Sequence, residues 1–417
     1  MKKIILYITF FLTFEIFATG GSIYTRYGLG DLTFGNSARK HALGSIGTSI
    51  LNQNYINPYN PASLTSLKET RFESGLSFSS ISMKDDKFED RQTNFNFSGL
   101  SLVIPLERDL GFVMSLGILP VTNVDYYVSS SINNPDTNLV NSKLSTILSG
   151  KGGLSKYFLG FSYKLYDFNI GASFDYYTGK NEYISTLDFS NNFDYLDVSF
   201  TKRQSFSGIG GTFGLISPDL TKIINVGSRI TNWRLGLAFS IASKIDLDSV
   251  LVKKTTIGEL ESLKGSSNFT LPISFSIGTN FTLDKEYMIA VDYFYQAWSD
   301  YKIKNKRDFN LTDLNKITLA LEYQNSAKRI SSSFWQLVDF RGGLNFEQTQ
   351  YLIQNNSINA YSVFAGMSLP LGIGNTINIS LEYGIRGKNS KNLVKENFIN
   401  SIISISLGEL WFMRPEK

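Results

Sequence analysis

The chain has 417 residues, 42% hydrophobic, 14% aromatic and only 18% charged, with no cysteine and a formal net charge of +4. Without cysteine there is no disulfide framework, no thiolate metal site and no lipid-anchored precursor, and so small a charge does not imply a nucleic-acid partner. With 32 Phe, 22 Tyr and 34 Gly, the mix is poor in charge for a soluble domain and rich in strand formers.

Lys2 and Lys3 precede an apolar run from Ile4 to Phe14, and Ala18-Thr19-Gly20 supplies small residues for cleavage. Despite Glu15 beside the apolar run, this order predicts an export signal over residues 1–20. The run is well short of the roughly 20 apolar residues a membrane helix needs. No later stretch is long and apolar enough either, so a membrane-bound mature chain crosses as strands.

Residues 21–69 show little alternation and many Gly, Asn and Ser. Lying ahead of the first strand, this segment is predicted to plug a barrel from its periplasmic side. Within it, Pro58 and Pro61 fix φ and hold Asn57 and Asn60 out of the helical region, which predicts a rigid turn whose Asn side chains bond irregular backbone.

From Arg71 onward the hydrophobicity alternates with period 2. Tyr157, Leu159, Phe161 and Tyr163 oppose Lys156, Gly160, Ser162 and Lys164, and Ile377, Ile379, Leu381 and Tyr383 oppose Asn378, Ser380 and Glu382. A soluble sandwich alternates too, with its apolar face inward. The export signal, the aromatic strand ends and a closing strand Phe398 to Gly408 followed by Trp411-Phe412 favour a membrane barrel with lipid outside.

The predicted fold class is all-β: a transmembrane antiparallel barrel of about fourteen strands over 70–409, with an N-terminal hatch and a short tail, 410–417. The strands fall near 70–82, 92–104, 110–130, 150–165, 168–188, 194–216, 229–245, 267–281, 287–300, 314–325, 336–350, 358–370, 375–388 and 397–409. Tight turns at Tyr166-Asp167 and Leu283-Asp284-Lys285 alternate with long segments, Ser131–Ser149 and Asp246–Ser266, predicted as external loops. Ser217–Ser228 and Ser326–Trp335 are longer than periplasmic turns should be. In the first long loop Val140, Leu144, Ile147 and Leu148 fall at helical spacing, which predicts an apolar capture stripe. Arg71, Glu73, Lys164, Asp175, Arg234, Asp292, Glu322, Asp339, Arg341, Glu382 and Arg386 are predicted to face the lumen, because an Arg or Lys against lipid costs about 2–4 kcal/mol near the midplane.

The stretches Tyr24-Thr25-Arg26-Tyr27-Gly28-Leu29-Gly30-Asp31, Ala42 to Gly47, and Asn57-Pro58-Tyr59-Asn60-Pro61-Ala62-Ser63-Leu64 resemble the N-terminal region of FadL-like outer-membrane transporters. The resemblance covers the hatch, the third strand and the last. It implies a fourteen-stranded barrel that passes long-chain fatty acids or aromatic hydrocarbons, with Asn60-Pro61-Ala62 as the hatch box and Phe34 and His41 beside the substrate path. It also implies a third strand kinked inward to open the wall. Pro120 interrupts that strand chemically, because it cannot donate to the ladder, and Asn123 and Tyr126 follow it.

Reactive chemistry is scarce. His41 is the sole histidine, so a Ser-His-Asp triad on the wall has no imidazole, and zinc and haem sites are similarly starved. Gly208-Ile209-Gly210-Gly211 lacks the context of a phosphate loop. No enzyme activity, cofactor or metal is therefore expected. The reading is passive passage of a hydrophobic small molecule with lateral exit into the bilayer of a Gram-negative outer membrane. The partners expected are that ligand, outer-membrane lipid and, during biogenesis, the barrel-assembly machinery. Two alternatives are a barrel of the same shape that holds partner proteins and transports nothing, and a general diffusion porin.

Overall fold

The computed structural model describes residues 21–410 except 36, 86–88, 134–142, 190–196, 225–226, 305, 326–332, 373 and 391–392. The expected export signal, Val140 and the tail from 411 lie outside the described residues. Fourteen wall strands follow one another antiparallel. They are β1 (Thr70–Lys84), β2 (Glu89–Glu107), β3 in two pieces (Phe112–Pro120 and Thr122–Asn133), β4 (Lys143–Leu165), β5 (Phe168–Asp188), β6 (Val198–Ile216), β7 in two pieces (Ile230–Ala242 and Lys244–Thr255), β8 in two pieces (Gly258–Thr270 and Ser274–Leu283), β9 (Tyr287–Gln296), β10 (Leu314–Tyr323), β11 (Asp339–Ile353), β12 (Asn356–Pro370), β13 (Thr376–Arg386) and β14 (Lys395–Glu409). The last pairs with the first from Thr70↔Glu409 to Lys84↔Lys395, so the wall closes on itself. The two connections that looked too long keep the count intact: a 3-10 turn, Leu220–Lys222, occupies one and a short helix, Phe334–Leu337, ends the other.

In the band the alternation reads apolar outward. Leu159, Phe161, Phe174 and Tyr176 are exposed while Ser162, Ser173 and Asp175 are buried, as lipid outside and a filled lumen inside require. Lys164 keeps the inward phase, across the ladder from buried Asn169, but stands at the rim of the tight turn, half exposed and 2.9 Å from Asp167.

The opposite end is taller than loops would make it. With 23 and 21 residues, β4 and β5 far exceed the roughly 9–11 a membrane strand needs. Together with their neighbours they rise as a tower beyond the band. Asp246–Ser266 is therefore no loop but a hairpin, Lys244 to Thr255 paired with Gly258 to Thr270. The expected capture helix is likewise strand: Leu144 pairs with Ile132, Ile147 with Ser129 and Leu148 with Val128. Ile147 and Leu148, adjacent in a strand, point to opposite faces, so the stripe dissolves. Continuation of the β4–β5 ladder, which pairs residues 145–165, outweighs the local helical spacing.

The tower also reverses the inside-out pattern. In β7 Leu235, Leu237, Phe239 and Ile241 face outward, yet beyond Ser243 it is Ile245 and Leu247 that are buried and Asp246 and Asp248 that are exposed. In β8 the switch comes at Leu271-Pro272: Phe269 and Leu271 are buried, Ile273 and Ile277 exposed. Water replaces lipid outside, so apolar residues turn inward. They form a core from Ile245, Leu247, Phe269, Trp298, Tyr351 and, out of the N-terminal segment, Tyr24 and Leu29. That core fills the tower end of the barrel.

Candidate functional site: the hatch and the parted wall

The N-terminal segment lies inside the wall and reaches from the turn end to the base of the tower, not just the periplasmic half that the sequence suggested. At the tower end Ser22 Oγ donates to Glu396 of β14 at 2.8 Å, and Tyr24 Oη donates to the carbonyl of Val394 at 2.5 Å. Burial and the carboxylate of Glu396 push the Tyr24 phenol up to about 12. Mid-way, the amides of Gly47 and Thr48 donate to Asp292 of β9 at 3.1 and 2.8 Å. At the turn end Thr65 Oγ1 donates to Asn169 of β5 at 2.7 Å. These anchors are spread around the circumference, and each satisfies backbone or hydroxyl groups that a non-repetitive plug cannot pair with itself.

Buried charge fixes the hatch further. Ser37 caps a one-turn helix, Ala38–His41, which presents Arg39 to Glu322 of β10 at 2.8 Å, while Arg341 of β11 reaches the same carboxylate at 2.5 Å. Arg386 of β13 bridges Asp31 at 2.9 Å and Glu396 at 2.7 Å. His41 touches Ser380 Oγ at 2.9 Å and Glu382 Oε2 at 3.1 Å. It is thus a structural contact to β13, at the edge of a cavity of about 490 Å³. Lys40 lies with its Nζ 3.1 Å from the centre of the Tyr59 ring. Burial first, then Lys316 and Lys156, hold its ammonium well below the usual lysine range.

The Asn-Pro-Ala box forms the hatch's lower corner. Asn60 caps the 3-10 turn Pro61–Ser66: its Oδ1 accepts from the Ala62 amide at 3.1 Å and its Nδ2 donates to the Thr48 carbonyl at 2.6 Å. Ser162 Oγ donates to the Pro61 carbonyl at 2.6 Å. The wall makes room with glycine: a Cβ on Gly214 would stand 1.9 Å from Asn60 Oδ1, and one on Gly171 would stand 2.5 Å from the Pro61 carbonyl carbon. Phe34, the other hatch residue singled out, packs edge-on against Phe294 of β9 with ring centres 5.1 Å apart.

Strand β3 breaks at Val121, one residue after Pro120. Its ladder with β2 ends at Leu100↔Ile118, whereas its second piece pairs with β4. On the vacated side the short hatch strand Asp31–Leu32 pairs with Asn123 and Thr122, and the Thr33 amide donates to the Val121 carbonyl at 3.0 Å. The Val121 amide donates to Leu154 of β4, so the alternation of a ladder places the Pro120 nitrogen on the β2 side. Higher up, Gln92 Nε2 of β2 reaches the Tyr127 carbonyl at 2.8 Å and bounds the slit. Tyr126 folds over Gly150, where a Cβ would be 2.4 Å from its ring. Behind the slit lies a cavity of about 490 Å³ with Phe97 and Ile118 near the wall and Lys316, Glu347, Glu382 and Arg386 deeper in.

Pro120, Asn123, Phe34 and His41 thus border one cavity, whereas Asn60, Pro61 and Ala62 support the hatch from below and Ile147 and Leu148 belong to the tower. The sequence reading missed the hatch cations, the tower core and the second parting of the wall at Ser243 and Leu271–Ile273. Pro272 signalled the last by the same rule that singled out Pro120.

The fold is shared with outer-membrane hydrocarbon channels. The toluene transporter TbuX of Ralstonia pickettii superposes with a TM-score of 0.60 at 18% identity, over 90% of this chain and 98% of that one. The P. putida toluene transporter TodX gives 0.57 at 15%, over 91% and 100%, and a Pseudomonas aeruginosa FadL homologue 0.58 at 11%, over 90% and 98%. No curated protein matches the sequence. Identities this low carry the fold alone, so kinship rests on the sequence family, whose model matches residues 1–416: the chain belongs to the BamG family.

Proposed function

We propose that this outer-membrane barrel is an accessory of β-barrel protein assembly, closed along its axis, rather than an axial uptake channel. The carrying observation is that both ends are filled: the tower end by a packed apolar core that includes Tyr24 and Leu29, the rest by a hatch tied to the wall with buried ion pairs. Opening such a lumen means breaking buried pairs at about 3–5 kcal/mol for each lost partner. Passive diffusion supplies no energy for that. Membership of the BamG family supports the link to barrel assembly. The test is depletion of this chain in cells, with folded levels of other outer-membrane barrels and uptake of a labelled fatty acid measured together. Loss of folded barrels with unchanged uptake is expected; the opposite pattern would overturn the reading.

A second reading, uptake of hydrophobic molecules by a lateral route, is favoured by the slit between β2 and β3 and the cavity of about 490 Å³ behind it. Its ligand would be a hydrocarbon or fatty acid, in line with the fold shared with toluene transporters. No enzyme chemistry is assigned to either reading.

A further inference from the structure

The wall parts a second time, between β7 and β8. Register pairs run up to Ser240↔Ser274 and resume at Lys244↔Thr270, and among the described residues none joins Ile241–Ser243 to Leu271–Ile273. The polar groups flanking this seam bond away from it. The Ser243 amide donates to the Ile209 carbonyl of β6, Gln296 Nε2 to the Pro272 carbonyl, and the Ala297 amide to the Ile273 carbonyl. Pro272 itself has no N–H to offer β7. Of the side chains at the seam, Ile241, Ala242, Leu271, Pro272 and Ile273 are apolar, and Ser243 Oγ donates to the Ile209 carbonyl.

Behind the seam is a cavity of about 90 Å³ whose surface is mostly apolar, lined by Ala242, Leu271 and Phe275 of the wall and Leu32 and Phe34 of the hatch, with Lys156, Ser240, Ser276 and Gln296 on its polar part. Ile241 belongs both to this lining and to the outer face, where it is 40% exposed. The lining is thus continuous with the lipid-facing surface. Phe34 also lines the larger cavity and stands between the two.

We propose that the β7–β8 seam is a binding site for the end of a single hydrocarbon chain, which enters sideways from the bilayer and stops against Phe34. An apolar cavity of roughly 150 Å³ holds a benzene ring, so this one suits a chain terminus and no headgroup. The chain could belong to a membrane phospholipid or to a free fatty acid, which share this chemistry. The competing account gives the seam one task only, reversing the inside-out phase between band and tower.

The test reconstitutes the full chain in vesicles with a palmitoyl chain bearing a terminal diazirine, either in phosphatidylethanolamine or as the free acid, and maps the photo-adducts. Adducts on inward-facing Ala242 and Leu271, in addition to outward-facing Ile273 and Ile277, are expected. Ala242→Trp fills the cavity, and Pro272→Val restores a donor without adding bulk inside. Inward labelling should fall at least tenfold in the first and several-fold in the second, with outward labelling unchanged. Heat-modifiable gel migration verifies folding, and either folded variant suffices for the comparison. Labelling by the phospholipid form assigns the chain to membrane lipid, and labelling by the acid alone assigns it to free fatty acid. Adducts confined to outward positions, or inward adducts unchanged in a folded variant, would overturn the proposal and leave the phase reversal.

Discussion

Arg39, carried by the hatch, and Glu322, carried by β10, meet in a two-bond contact, Nη2 to Oε2 at 2.8 Å and Nε to Oε1 at 3.2 Å, with both side chains almost wholly buried. A planar guanidinium engaging both carboxylate oxygens sets position and orientation together. Since Arg341 shares the same carboxylate, Glu322 joins hatch and wall.

Glu322→Ala leaves two buried guanidinium groups without it. A cost of about 3–5 kcal/mol is expected, borne by the hatch contact more than by the strand ladder. Planar-bilayer recordings should show brief openings absent from the parent, and the thermal midpoint should fall. A silent variant with an unchanged midpoint would mean the other anchors suffice.

Deleting residues 22–66 removes every hatch anchor and also takes Tyr24 and Leu29 from the tower core. A nearly silent barrel should become steadily conducting. If conductance stays the same, the wall residues of the core close the tower end alone.

Pro120→Val supplies an N–H on the side facing β2. One added ladder bond is worth about 0.5–1.5 kcal/mol, enough to favour a longer β2–β3 ladder where the hatch strand now pairs. If hydrophobic molecules pass the slit, uptake of a labelled fatty acid falls at equal surface expression. Equal uptake in a variant whose slit has closed would remove the slit as a route.

Lys40 gives a pH signature. Its ammonium is held below the usual range by burial, so between its folded value and the ordinary value of about 10.4 the unfolded chain binds a proton that the folded chain does not. Stability therefore rises with pH across that window. The Tyr59 ring face limits the shift, since a cation over a ring gains about 0.5–2 kcal/mol. Lys40→Met should be more stable than the parent at neutral pH, with the difference shrinking as pH rises toward ~10 and gone above it. Thermal midpoints at several pH values decide it; a constant difference would place the effect in packing instead.

Asn60→Ala removes a cap and the bond to the Thr48 carbonyl while leaving space beside Gly214. The 3-10 turn should lose about 1–2 kcal/mol, seen as faster hydrogen exchange at the Ala62 amide. Unchanged exchange would make Pro61 alone responsible for the turn.

Alternation of Leu159, Phe161, Phe174 and Tyr176 with Ser162, Ser173 and Asp175 determined the band, because lipid on one side and a filled lumen on the other leave period 2 one solution. The signal fades where the outside changes to water: from Ser243 in β7 and Leu271 in β8 the same period continues with opposite sense, and a reading tuned to lipid takes Asp246–Ser266 for a loop. Helical spacing at Leu144, Ile147 and Leu148 misled for a related reason, since three positions carry less free energy than a ladder pairing residues 145–165. Pro120 and Asn60-Pro61-Ala62 were legible because proline and cap chemistry are local. That Arg39 would find Glu322, 283 residues away, or that Tyr24 and Leu29 would close the tower with Trp298, was decided only by the folded barrel. Such pairings depend on which strands the closed wall brings opposite the hatch, and no local pattern of residues encodes that distance.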